Sequence, residues 1–550
     1  MANRSNGAGG VIVSQSFMPV ADRRSALDRA HRGDIEGALG HVRAHDTAPR
    51  QTLRTGIATL LAIMGPGVFV MVADNDAGGI YVYAQAGQAH GMAIVWLLIF
   101  LAPVLYVVQE MVARLGAVTG AGHARLIFER FGRRWGYFAL SDLLVLNILT
   151  IVTEFIGVAL ALGYFGVSRY VSVPVAAVAL IAVTGLGSFR RWEIAMYGMV
   201  GLSLIAVPLA ALSGAQHIPA LGLGTGIGTT ASGGGLLFLV VAMIGTTVAP
   251  WQLFFQQSNV VDKRITARWL GFERVDLLIG AVIFTIGAVA VLFTSAAVLG
   301  NTGWSFADAG QVASALRDRA GWTVGALFAV VLLDGSVLGA AAVTLANSYA
   351  IGDVFGTKHS LHRRWQDATT FYGSFALSLL LGATIVLMPR APLGLVTIGV
   401  QALAGVLLPS ATVFLLLLCN DPVLLGPRTN PRWLNVVAAA VVGGLVEMSA
   451  LLTVTILFPN LDIGVVAIPL SALQAAMVVV IWHMSRGRVR SPAFTETPSE
   501  ILTWTMPPID TLPPPRPSRA RSAGLVLLRI YLLGAALLVT ARIVQTVFGA

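Results

Sequence analysis

The sequence predicts an all-α polytopic membrane protein, and three observations carry that prediction. Apolar runs of spanning length recur from Leu53 to His483, only 11% of the 550 residues are charged, and Arg and Lys gather in alternate loops. A soluble domain carries about 25% charged residues, so most of this chain is not built to face water. A helix needs roughly 20 apolar residues to cross the hydrocarbon core. The runs lack the ten-residue alternation of a barrel strand, and unpaired backbone is not tolerated in lipid. A helical bundle follows.

Taken in order, residues 1–52 are a polar arm bearing Arg23, Arg24, Arg29 and Arg32, without the pattern of a cleavable signal peptide. The arm is expected to be cytoplasmic and loosely ordered. Residues 53–485 form the membrane domain. Twelve spans are predicted at 54–87, 91–115, 136–163, 171–189, 193–213, 235–258, 274–299, 322–353, 367–388, 393–419, 433–458 and 463–485. The stretch 300–321, with Trp304, Phe306 and Asp308, reads as an external loop holding a short amphipathic helix. Residues 486–522, rich in Pro, Ser, Thr and Arg, are expected to be a flexible cytoplasmic linker. The apolar segment 523–550 carries Arg529 and Arg542, which leaves crossing the membrane and lying along its surface both open.

Charge sets the expected orientation. One set of loops carries Arg125, Arg130, Arg133, Arg134, Arg190, Arg191, Lys263, Arg264, Arg268, Lys358, Arg363, Arg364, Arg428 and Arg432. The opposite set offers only Arg169, Arg317, Arg319 and Arg390. This positive-inside bias puts the N-terminus in the cytoplasm. It also accounts for the net charge of +10 without a nucleic-acid partner. The single cysteine, Cys419, cannot form an internal disulfide and is expected as an apolar filler near a helix end.

Two spans are interrupted. The first runs from Gly65-Pro66-Gly67 through eight residues to Asp76-Ala77-Gly78-Gly79, with Asp74 and Asp76 flanking Asn75 near its middle. A charge at that depth costs about 2.5–3.5 kcal/mol on insertion scales. Two acids and a Gly pair fit an unwound segment facing a cavity better than a helix facing lipid. The sixth span carries Gly245-Thr246-Thr247-Val248-Ala249-Pro250-Trp251-Gln252. Proline removes a backbone donor there, and Gln252 and Gln256 share a helical face. Breaks in the first and sixth spans, five helices apart, point to an inverted repeat with a binding site at the midplane.

At these residues the chain resembles the natural resistance-associated macrophage protein (NRAMP) family of divalent-metal transporters. The family's first-helix Asp-Pro-Gly-Asn falls on Asp76 to Gly79, and its sixth-helix Ala-Thr-Val-Met-Pro-His-Asn falls on Thr246 to Gln252. Glu154-Phe155-Ile156-Gly157 matches the third helix, and Pro409 and Asp421 match the tenth. The resemblance implies a LeuT-like five-plus-five inverted repeat with discontinuous helices 1 and 6 and extra C-terminal helices. It implies a metal site of Asp76, Asp74, Asn75, Gly79, Thr246, Ala249 and Gln252, with Glu154 and Asp334 on a proton or cation path.

The departures carry the finer expectation. Ala249 stands where the family has a methionine thioether, and Gly79 where it has a metal-binding Asn. Trp251 replaces the sixth-helix His, and Ile151 a third-helix Asp. Oxygen donors without sulfur suit magnesium, and the smaller residue at 79 is expected to enlarge the site. A relay without its neighbours is expected to couple poorly. The chain is thereby similar to the Nramp-related magnesium transporters, with passive Mg2+ transport expected and Mn2+ tolerated.

Two alternatives stay open: a proton-coupled transition-metal transporter of the NRAMP type, and an ion-coupled amino-acid carrier on the same architecture. Asp74 and Asp76 would repel the carboxylate of an amino acid. An integral-membrane enzyme lacks a recognisable catalytic constellation. No cofactor is expected besides the transported ion, the bilayer is the expected partner, and subunit count is left open.

Overall fold

The computed structural model describes residues 29–46, 48–185, 187–214, 233–300, 306–388, 393–458, 461, 463–487, 504–513 and most of 525–541. Trp304, His217 and Arg390, and the greater part of the expected linker, lie outside the described residues. Antiparallel strands β1 (Ile35–Gly37) and β2 (Gly40–Val42) precede α1 (Leu53–Ile63), α2 (Pro66–Val72), α3 (Ala77–His90), α4 (Val95–Thr119) and α5 (His123–Phe131). Then come α6 (Arg133–Tyr164), α7 (Arg169–Thr184), α8 (Phe189–Ser203), α9 (Ala206–Gly214), α10 (Gly233–Thr247) and α11 (Pro250–Asp262). The chain continues through α12 (Leu270–Leu299), α13 (Ala309–Ala320), α14 (Trp322–Phe355), α15 (Thr369–Leu387) and α16 (Leu393–Cys419). The last elements are α17 (Pro422–Leu425), α18 (Arg432–Leu457) and α19 (Ile463–Gly487).

Among the described residues, nine helical segments are long and apolar enough to cross a membrane, ten if the bent pair α1–α2 counts as one. One of them, Ala77–Thr119, has 43 residues. At 1.5 Å per residue that is about 65 Å, twice the hydrocarbon thickness. It divides at Gly91, whose φ of +58° ends α3. The shorter apolar helices α7 and Gly464–Val479 of α19 stand at the fourth and twelfth predicted spans.

The core forms around α14 and α12. Both are apolar almost all round; α14 is buried along most of its length, while α12 leaves Val275, Leu278, Val282 and Ile286 exposed, a face for lipid. α14 packs on α6, α13, α15 and α11; α12 packs on α2, α3, α4 and α9. The short helix expected in 300–321 is α13, started by Asp308, whose carboxylate accepts from Gln311 N at 2.9 Å.

Two expectations about the polar segments are corrected. Residues 29–46 are not a loose arm: the β1–β2 hairpin lies on α1, and a Cβ on Gly37 would come 2.4 Å from the Ala62 carbonyl. Glu193 of α8 accepts from Ala38 N, and Arg264 donates to the carbonyls of Ala30 and Asp34, both at 2.9 Å. Likewise, residues 504–513 of the expected flexible linker are docked. Met506 N donates to the Val118 carbonyl at 3.0 Å, and Arg130 to that of Pro513 at 2.9 Å. Beyond it, Tyr531 bonds Ser449 of α18 at 2.8 Å.

Candidate cation site at two helix breaks

The first span breaks twice. At the Gly65-Pro66-Gly67 motif the helix axis turns by 56° between α1 and α2. Gly65 sits at φ +145°, a conformation a side chain would strain, and Pro66 opens α2 where its missing N–H costs nothing. Asp276 of α12 accepts from Gly65 N (3.1 Å), Gly67 N (2.6 Å) and Val68 N (3.3 Å), capping the helix from a neighbour. Only the second break, described next, is expected from the sequence.

The second break spans Ala73 to Asp76. Asp74 N and Asn75 N reach the carbonyls of Met71 and Val72 at 3.3 and 3.1 Å, a tightened turn. Asp76 is extended (φ −74°, ψ 179°) and caps α3, its carboxylate accepting from Gly79 N at 2.6 Å. Glu154 of α6 takes the next orphan donor, Ala77 N, at 3.2 Å. Acidic groups gain about 0.3–1 kcal/mol at such a helix N-terminus.

In the sixth span, Pro250 lacks the N–H that would have reached the Thr246 carbonyl, which is therefore released from the helix ladder. The Ala249 carbonyl accepts from Gln252 N at 3.2 Å. Gln252 is held on both ends. Its oxygen accepts from Ala249 N (3.3 Å) and Gln109 Nε2 (3.1 Å), and its amide donates to Asp74 Oδ1 and to the Thr247 carbonyl (3.4 Å).

The unwound segment turns its three polar side chains in different directions. Asp74 faces Gln252 on α11 and keeps Oδ2 unpartnered. Asp76 faces its own helix and Thr246, whose hydroxyl lies 3.5 Å from Oδ1. Asn75 turns away from both, donating to the Phe284 carbonyl of α12 at 3.1 Å. Both acids are buried and are held by amides and a hydroxyl.

Oxygens converge beside Gly79. A Cβ there would lie 2.9 Å from the Asp74 carbonyl, 2.9 Å from Thr246 Oγ1 and 3.3 Å from Asp76 Oδ1. Glycine does not open a wide chamber, as the sequence suggested; it lets three oxygens close on one point. Gln401 of α16, which sequence reasoning missed, packs on the adjacent Gly78, where a Cβ would meet its Nε2 at 1.7 Å. That nitrogen is buried without a partner. A lone glutamine in an apolar run was the available signal.

Glu154 lies next to Asp76: a Cβ on Gly339 of α14 would meet Glu154 Oε2 at 2.9 Å and Asp76 Cβ at 3.0 Å. Its Oε1 has no partner. Trp251 is buried against Phe255, with ring centroids 6.2 Å apart. Ile151 fills the contact with α15, 2.5 Å from where a Cβ on Gly382 would stand. Asp334 is buried on α14 across a small cavity from Asn75.

A helical membrane bundle with two spans broken at facing points, and carboxylates held in the breaks, defines a carrier of the LeuT-like inverted-repeat class. The profile of the natural resistance-associated macrophage protein-like family matches residues 67–455, and the chain belongs to that family. It is similar to the divalent metal cation transporter MntH of Burkholderia ambifaria, 26% identical over 387 residues, covering 66% of this chain and 83% of the relative. It is also similar to MntH 1 of Pseudomonas aeruginosa, 26% identical over 400 residues, covering 70% and 89%. The fold matches the crystal structure of the Eremococcus coleocola manganese transporter with a TM-score of 0.63, at 19% identity, over 82% of this chain and 98% of that one. The protein is thus a multi-pass membrane transporter of divalent metal cations.

Proposed function

We propose that this transporter carries a hard divalent cation, Mg2+ with Mn2+ accepted, down its electrochemical gradient without a coupled proton. The observation that carries the reading is the all-oxygen convergence on Gly79: the Asp74 carbonyl, Thr246 Oγ1 and Asp76 Oδ1 within 3.3 Å of one point. Asp76 is the principal anionic ligand. Asp74 Oδ2 and the released Thr246 carbonyl complete an oxygen shell, while Gln252 positions Asp74. Ala249 brings no thioether to this site, which removes the soft donor that favours transition metals.

The membrane potential supplies about 2.3 kcal/mol per elementary charge per 100 mV, so a dication gains twice that. The buried Trp251 and Ile151 cannot carry protons, and Ile151 is committed to packing α15 on α6. A second reading, proton-coupled Mn2+ transport, is favoured by Glu154, which lies beside Asp76 and keeps Oε1 unpartnered. Relatives whose names specify manganese transport add to it.

Flux of Mg2+ and Mn2+ into proteoliposomes, with internal pH recorded together, separates the two. Entry of either ion without acidification is expected, and Asp76→Ala abolishes entry. Acidification that tracks metal entry establishes the coupled reading instead. Normal flux in Asp76→Ala removes Asp76 from the site.

A further inference from the structure

We propose that Asp334, Asn75 and Ser203 form a second cation site, separate from the Asp74–Asp76 site, that binds one monovalent ion, sodium. Asp334 is 1% exposed, and neither carboxylate oxygen has a hydrogen-bond partner. An isolated carboxylate out of water is strongly unfavourable unless a positive charge or hydrogen bonds meet it. The cavity Asp334 lines supplies neither from a basic side chain. Its other walls are Asn75, Ser203 and apolar residues, Val72, Ile80 and Val331 among them.

The oxygens around this cavity are arranged for a cation. Asn75 spends its NH2 on the Phe284 carbonyl at 3.1 Å, which leaves Oδ1, buried and unpartnered, as the free end of the amide. Ser203 spends its proton on the Val200 carbonyl at 2.8 Å, so its hydroxyl can only accept from the cavity side. Asp334, with both carboxylate oxygens unpartnered, thus lines one space with Asn75 and Ser203, with room for about one water-sized occupant. Charge selects a monovalent ion. One carboxylate cancels one positive charge, whereas a dication would leave a net charge against apolar walls.

The site is coupled to the break by the chain itself. Asn75 lies between Asp74 and Asp76, and its carbonyl sits 2.1 Å from where a Cβ on Gly335 would be, so α14 grips the unwound segment at this residue. An ion bridging Asp334 and Asn75 fixes that segment and with it the two acids on either side. By linkage, sodium then tightens divalent-metal binding and the metal tightens sodium. The inference stands whichever divalent ion is the cargo and whether or not protons move.

The test is equilibrium binding of radioactive sodium to the purified full-length protein in detergent. Saturable binding, displaced by unlabelled sodium chloride but not by choline chloride, is expected. Asp334→Asn should abolish it and Asn75→Ala should weaken it, both variants eluting as wild type and still binding Mn2+ by calorimetry. Should Asp334→Asn fail to fold, Asn75→Ala and Ser203→Ala carry the test. Absence of saturable sodium binding by the wild type, which would assign Asp334 to a proton, overturns the proposal. So does undiminished sodium binding in the folded variants, or binding lost in Asp76→Ala but kept in Asp334→Asn.

Discussion

Gly79 and Ala249 are the two residues at which this chain departs most from its family's motif, and each departure has a chemical consequence. At Gly79, three oxygens stand 2.9–3.3 Å from the place of a Cβ, and one is a backbone carbonyl that cannot swing aside. Gly79→Asn would restore the family's residue yet prise the break apart. It is expected to weaken Mg2+ and Mn2+ binding in calorimetry, and stronger binding would mean the break relaxes freely. Ala249→Met adds a thioether at the start of α11. Cd2+ and Mn2+ flux should rise relative to Mg2+ because a soft donor favours transition metals; an unchanged selectivity order counts against the donor argument.

The acids of this site were legible in the sequence because a buried charge is expensive enough to require a reason. Their directions were not. In an unwound segment neither helical nor strand periodicity fixes where a side chain points, so Asn75, expected beside the metal, turns to α12 and Asp334 instead. Gln401 left only a faint trace for another reason: its meeting with Gly78 joins positions far apart in the chain, and a single glutamine carries no periodic signature.

At the scale of elements, the breaks are built by neighbours as much as by their own residues. The turn at Gly65-Pro66-Gly67 is capped from outside its own span, by Asp276 of α12. The hairpin β1–β2 was unreadable because three-residue strands are too short for an alternation signal, and the pair owes its place to glycines pressed on α1. One buried ion pair ties these parts together. Lys263 Nζ bonds Glu193 of α8 and the Met64 carbonyl at the end of α1, while Glu193 also accepts from Ala38 N of the hairpin. Both side chains are fully buried.

Removing one partner of such a pair strands the other charge, at about 3–5 kcal/mol. Lys263→Met should therefore lower thermal stability sharply in detergent, and Lys263→Met with Glu193→Gln should recover much of the loss. A double variant no more stable than the single one would show that Lys263 acts mainly through the Met64 carbonyl.

At the scale of the molecule, the basic loops read from the sequence converge on one end of the bundle. A Cβ on Gly187, beside Arg190 and Arg191, would lie 3.3 Å from the Arg363 carbonyl and from Arg364 Cα. His362 reaches the Asp262 carbonyl at 3.0 Å, next to Lys263 and Arg264, and Arg264 holds the N-terminal segment. Convergence shows that these loops share a face; the positive-inside rule predicts that this face is cytoplasmic.

α14 turns that prediction into a measurement. Its 34 residues extend about 51 Å at 1.5 Å per residue, well beyond the roughly 30 Å hydrocarbon core, so its two ends lie on opposite sides of the membrane. Asp318 and Lys358 are exposed just outside those ends. Cys419, the chain's single cysteine, is buried and leaves little background. On intact cells an impermeant maleimide should label Asp318→Cys, and Lys358→Cys only after lysis. The reverse pattern would place the hairpin and every basic loop outside.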